Sequence, residues 1–213
     1  MWHALRAAAS GADEVAWDVR YRGQSFELTL PRTVQRARLD QRHVDCRVGS
    51  AGQIPAVVYG GGRAGLMGEV AQATLEAGGR VVGIIPKALV EKEWAKLDCT
   101  ELHVVDNMHE RKRMMAERAD AFLALPGGIG TFEEFFEVWT WRQLGYHDKP
   151  VGLLNLGGYY DALLAFLKTS VDHGFMSDWQ MDLVRVGPDL PSLLGGLVEA
   201  ARLAPRRTDL SEI

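Results

Sequence analysis

The chain has 213 residues, a formal net charge of −4 and two cysteines, Cys46 and Cys99. That length suits one large domain, or one domain with an appendage, whose core needs neither disulfides nor a metal staple. Apolar residues at 47% and charged residues at 24% exclude a disordered or membrane-embedded chain, and the mild negative charge excludes a general attraction to nucleic acid or anionic lipid. No apolar run approaches the ~20 residues of a membrane-spanning helix. The start, MWHALRAAASGADE, lacks a secretory core, and two thiols point to a reducing cytoplasm. All six lysines lie at or beyond Lys87, whereas eight of the eighteen arginines precede residue 57.

Residues 1–54 read as an atypical N-terminal segment and not as an independent domain. Val15, Trp17, Val19 and Tyr21 alternate, as do Phe26, Leu28 and Leu30, with Arg22-Gly23-Gln24 between them. That pattern predicts an antiparallel hairpin. The Arg-rich stretch 32–47 reads as a solvated helix or loop. From residue 55 to 213 short apolar runs alternate with segments of helical period, as in a parallel sheet with crossover helices. Strands are expected at 56–59, 80–86, 101–105, 121–125, 150–155 and 182–186. Helices are expected at 65–77, 109–119, 131–144, 159–174 and 188–203, with Gly78-Gly79 and Gly174 as stops. The fold class is α/β: a Rossmann-like, doubly wound, mainly parallel sheet flanked by helices.

Two glycine-rich turns each follow a strand and open a helix, where such sheets bind ligands. Pro126-Gly127-Gly128-Ile129-Gly130-Thr131-Phe132-Glu133-Glu134 brings backbone close to a ligand and offers helix N–H groups to an anion. Thr131 is the expected helix cap, and Glu134, three residues on, equally fits a capping box. The other turn runs from Gly60 through Gly61 and Gly62 to Gly68. It has no acidic residue at the end of the next strand, where Ile84-Ile85-Pro86 stands, and no GK[ST] ending. A nicotinamide cofactor and a nucleoside triphosphate are both disfavoured, and a mononucleotide spanning two glycine turns fits better.

Met108-His109-Glu110-Arg111-Lys112-Arg113 puts three cations at a helix start, against the helix dipole. An anionic ligand would compensate them; a solvated basic face partnered by Glu110 and Glu117 is the plain alternative. The six histidines show no metal-ligand spacing, so no metal is expected. Cys99 lies in a loop-like segment without a nearby His and Cys46 in the atypical N-terminal segment, so both read as bystanders. The apolar cluster Phe132, Phe135, Phe136, Trp139 and Trp141 reads as core or dimer contact, with Phe135, Trp139 and Trp141 the candidates for the latter.

Taken together, GGGRAGLMG, IIP, ELHVVDNMHERK, ADAFLALPGGIGTFEE and TWRQLGYHDKPVGLLNLGGYYDALL resemble the Lonely Guy family, from about Val57 to Val186. These are cytokinin riboside 5′-monophosphate phosphoribohydrolases, formerly labelled lysine decarboxylase-like. The resemblance implies a Rossmann-like homodimer. It would hydrolyse the N-glycosidic bond of AMP-type or N6-substituted nucleoside 5′-monophosphates to free base and ribose 5-phosphate, without a cofactor. It implies catalytic roles for Arg111 and Glu134. Nucleotide contacts would come from Glu93, Arg111, Lys112, Gly128, Ile129, Gly130, Thr131 and Thr140, beside Gly61 and Gly62 of the first turn. Decarboxylation would need a Schiff-base lysine in a pyridoxal-phosphate site, and no lysine is singled out for that.

The chemistry of the residues agrees. Cleaving a nucleoside bond passes through an oxocarbenium-like state, which a carboxylate such as Glu134 stabilises while orienting water. Arg111 suits the phosphate, the ribose or the departing base. The chain departs from the family at its start. Gly49-Ser50 stand ten residues before Gly60, too few for the strand–helix–strand crossover of at least ~10–12 residues that normally begins at such a turn. A non-catalytic nucleotide- or cofactor-binding module, similar to molybdenum-cofactor carriers, is the alternative function.

Overall fold

The computed structural model describes residues 56–92 and 94–204 in full, together with the backbone of three strands nearer the N-terminus. The stretch 32–47, Gly49-Ser50 and Glu93 lie outside the described residues. The chain parts into two compact units between Asp120 and Ala121.

In the first unit, β1 (Trp2–Arg6) runs antiparallel to β4 (Ala56–Tyr59), with Ala4 opposite Val58. Strands β2 (Glu14–Tyr21) and β3 (Gln24–Pro31) pair antiparallel from Glu14–Pro31 to Tyr21–Gln24. Strands β4, β5 (Arg80–Pro86) and β6 (Glu101–Val105) are parallel, in the order β6-β5-β4. The sequences of β4 and β5 are nearly unbroken apolar runs, as expected where both sheet faces are covered, whereas β6 is only partly buried and exposes Val104. Val58, Tyr59, Val81, Val82 and Ile84 are wholly buried. The flanking helices are α1 (Gly65–Glu76), the short α2 (Lys87–Val90) and α3 (Met108–Arg118). At the start of β6, Glu101 binds Arg80 at 2.5 Å and Arg118 at 3.1 Å, tying two strands to the end of α3. Burial pushes the Glu101 carboxyl up, but the hydrogen bond to His103 and the two guanidinium charges together hold it below its usual range.

The second unit repeats the alternation. Strands β7 (Ala121–Ala124), β8 (Val151–Leu154) and β9 (Val184–Gly187) are parallel in that order, Phe122 opposite Val151 and Leu153 opposite Val186. Helix α4 (Ile129–Gln143) follows β7. A single 3₁₀ turn (Leu156–Gly158), α5 (Asp161–Asp172) and the short α6 (Asp178–Met181) follow β8, and α7 (Leu190–Leu203) closes the unit. α7 buries Leu190, Leu193, Leu194 and Leu197, a stripe at helical spacing. Leu197 rests where Gly152 leaves β8 bare: a Cβ there would meet it at 2.6 Å. The architecture is α/β and Rossmann-like, with parallel strands flanked by helices.

Two expectations need correction, and one strand is new. Thr131 is not the cap of α4. Gly128 is extended (φ −101°, ψ −150°), and its carbonyl accepts the Thr131 and Phe132 N–H groups, so the helix begins two residues earlier. Phe135, Trp139 and Trp141 are buried within the chain itself, so they offer no apolar surface for a dimer contact. Phe135 and Trp139 pack ring to ring at 5.5 Å, and the Trp139 indole N–H donates to the Gln180 carbonyl. The strand at β1 was not foreseen from its five residues. Among the described residues no helix is long and apolar enough to cross a membrane, and no cluster of metal-ligating side chains occurs.

Candidate active site

In the first unit β4 runs directly into Gly60-Gly61-Gly62. This turn is stitched to the segment after α2. The Arg63 N–H donates to the Trp94 carbonyl at 2.9 Å, the Lys96 N–H donates to the Gly61 carbonyl at 2.8 Å, and Gly62 bridges to Ala95. Gly61 adopts φ +72°, and a Cβ on it would press on Ile85 at 2.8 Å; only glycine fits without strain. A Cβ at Gly60 would fall 1.7 Å from an Arg111 guanidinium nitrogen. The missing side chain is therefore the space that Arg111 occupies.

Arg111 projects from the first turn of α3 and is 3% exposed, its Nε donating to the Ile84 carbonyl at 3.2 Å. A glycine turn, the end of β5 and a helix start thus converge on one guanidinium. Lys112 is also buried. The solvated basic face is corrected accordingly: Arg113, which pairs with Glu117 at 3.8 Å, has that role, and its two neighbours do not. The dipole conflict is eased locally, because the Asn107 side chain accepts the Glu110 N–H while the Glu110 carboxylate accepts the Asp106 N–H. Beneath the glycine turn, the Cys99 thiol donates to the Lys96 carbonyl and contacts the Tyr59 hydroxyl at 3.5 Å; burial pushes that thiol up. The Lys96 ammonium is held by Gln72 and Asp98.

In the second unit the first two turns of α4 carry Ile129, Gly130, Thr131 and Glu134, with Gly128 just before the helix. Gly128, Ile129 and Gly130 open the helix, where the first N–H groups have no partner within the helix. The Ile129 side chain is 86% exposed, so its backbone is the part suited to a ligand. A Cβ at Gly127 would fall 2.1 Å from the Thr131 hydroxyl, so the turn folds tightly over that side chain. Thr131 and Glu134 are both buried, at 5% and 2% exposed, one turn apart on one helix face. Thr140 is exposed and about 9 Å further along the axis than Glu134, so it stands apart from that pair. Three residues that received no role brace this turn. The Tyr159 and Tyr160 hydroxyls donate to the Gly127 and Leu125 carbonyls, and the Asn155 side chain accepts the Tyr160 N–H. The run Asn-Leu-Gly-Gly-Tyr-Tyr just past an apolar strand was the visible sign of them.

Residues 67–196 match the family model described as "Possible lysine decarboxylase". The chain is 51% identical over 143 residues to cytokinin riboside 5′-monophosphate phosphoribohydrolase LOG2 of Arabidopsis thaliana, covering 67% of each protein. Its identity to the probable phosphoribohydrolase LOGL9 of Oryza sativa subsp. japonica is 54%, over 67% of this chain and 63% of the relative. With LOGL1 of the same rice it shares 46% over 162 residues, 74% of this chain and 73% of the relative. This chain belongs to the Lonely Guy family.

The similarity to the first of these Lonely Guy proteins spans about two thirds of their length. The family model begins at residue 67, inside α1 and after the first glycine turn. It takes in Arg111, Lys112, Gly128, Ile129, Gly130, Thr131, Glu134 and Thr140, together with the bracing residues Asn155, Tyr159 and Tyr160.

Proposed function

We propose that this Lonely Guy chain hydrolyses the N-glycosidic bond of AMP-type or N6-substituted nucleoside 5′-monophosphates, releasing free base and ribose 5-phosphate. A single observation carries the assignment: a glycine-opened helix suited to a 5′-phosphate bears a buried carboxylate one turn along. Backbone N–H groups of Gly128, Ile129 and Gly130 hold the phosphate. Glu134 faces the anomeric carbon, stabilises its developing positive charge and orients the attacking water. Arg111, backed by Gly60 and the Ile84 carbonyl, supplies fixed positive charge to the nucleotide, with Lys112, Glu93, Thr131, Thr140, Gly61 and Gly62 as further contacts. The names of the relatives, all phosphoribohydrolases of cytokinin nucleotides, support the substrate class. Residues 55–213 form the hydrolase domain, and the protein works in the cytoplasm as a homodimer.

Incubation with AMP and with isopentenyl-AMP, followed by assay of ribose 5-phosphate, tests this directly. Release from either substrate is expected. Nucleotide binding without release would instead identify a non-catalytic module. Glu134→Gln is expected to keep nucleotide binding and to lower turnover by ~10²–10⁴, the span of a lost general acid–base group; full turnover in that variant would remove Glu134 from the mechanism.

A further inference from the structure

The turn that opens α4 is held from outside itself by two adjacent phenols. Tyr160 is buried and donates its hydroxyl to the Leu125 carbonyl at 2.7 Å; Tyr159 donates to the Gly127 carbonyl at 2.9 Å. They therefore grip the carbonyls on either side of Pro126. The pair is itself fixed. The Asn155 side chain accepts the Tyr160 N–H at 2.7 Å, the Asn155 N–H donates to the Gly187 carbonyl at 2.8 Å, and the two rings meet edge to face at 4.9 Å.

The two hydroxyls answer different needs. A phenol buried like that of Tyr160 must find an acceptor, and Leu125 provides it. Tyr159 is 55% exposed, so water is within reach of its ring, yet its hydroxyl is spent on a glycine carbonyl. The Gly127 carbonyl and the Gly128 N–H belong to one peptide unit, and no cis peptide occurs here. In a trans unit those two groups point in opposite directions. Between two glycines no side chain resists rotation of that plane, so whatever holds the carbonyl also aims the N–H.

We propose that Tyr159 is a positioning residue: by pinning the Gly127 carbonyl it directs the Gly128 N–H toward the 5′-phosphate of the substrate. The proposal rests on the phosphate-holding role given to the start of α4 above. Tyr159→Phe removes only the hydroxyl. Its KM and Kd for AMP are expected to rise about tenfold, the size of one hydrogen bond to a charged group. Its kcat is expected to stay within about twofold, its affinity for adenosine to be unchanged, and its thermal midpoint to move by less than about 2 °C. Tyr160→Phe, which strips an acceptor's partner inside the core, is expected to lower the midpoint without that phosphate-selective loss. Unchanged AMP affinity in Tyr159→Phe overturns the proposal, as does an equal loss for AMP and adenosine. Failure of the unaltered protein to favour AMP over adenosine would instead overturn the phosphate-holding role itself.

Discussion

Arg111 and His147 are both buried polar side chains, and the interior treats them in opposite ways. A guanidinium keeps its charge at any accessible pH, so Arg111 must be surrounded by acceptors such as the Ile84 carbonyl. An imidazole can give its charge up. His147 accepts the Lys149 N–H at Nδ1, so Nε2 carries the proton and donates to the Val138 carbonyl at 2.9 Å. Burial, helped by the charges of Lys149 and Arg142 and opposed by the Val138 hydrogen bond, pushes its pKa down to about 4. Because the unfolded histidine titrates near 6.5, the unfolded state binds more protons below that pH. Stability from this group is complete above about pH 6.5 and is lost as the pH falls toward about 4, with a limit of about 3 kcal/mol. Urea unfolding between pH 7 and pH 4 should show this slope, and His147→Asn should flatten it. Residues with such long-range partners are only half legible in a sequence. Glu134 and Arg111 stood out through their motifs, whereas Tyr159 lies 32 residues from the carbonyl it holds, and no local pattern records that.

Helix ends were more legible than helix starts. α1, α4 and α5 close the same way: Gly78, Gly145 and Gly174 take positive φ, and the N–H of each glycine and that of the next residue return to carbonyls of the last turn. Glycine is needed there because the left-handed conformation excludes a Cβ, so the letter itself marks the stop. Starts admit several solutions. α4 uses Gly128, whose carbonyl rather than a side chain begins the ladder, and that is why Thr131 was mistaken for its cap. α3 uses Asn107, and its Glu110 reaches back to Asp106 instead of to the cap residue. Asn107→Ala should therefore cost about 1 kcal/mol in chemical denaturation, the usual worth of such a cap. The same change should weaken nucleotide binding, since Arg111 and Lys112 ride on that first turn.

At the scale of the molecule, β4, β5, β7 and β8 were legible because covered strands are written as apolar runs between glycines and prolines. β1 was not, because its pairing with β4 uses the main chain and leaves no alternation in Trp2–Arg6. The site was legible wherever glycines and charges cluster in sequence. It was not legible where distant segments brace it, as residues 94–96 brace the first glycine turn. The contact between Gly60 and Arg111 has a historical consequence. Two positions 51 residues apart are expected to be coupled. Gly60→Ala alone should displace the guanidinium and reduce activity about as severely as Arg111→Ala, yet Gly60→Ala added to Arg111→Ala should do little further harm. A double-mutant cycle on kcat/KM measures this, and additive losses would deny the coupling. If it holds, descent imposes an order: in any lineage from this chain, residue 60 gains a side chain only after residue 111 has been shortened. An alanine at 60 would then mark a chain whose arginine had already gone.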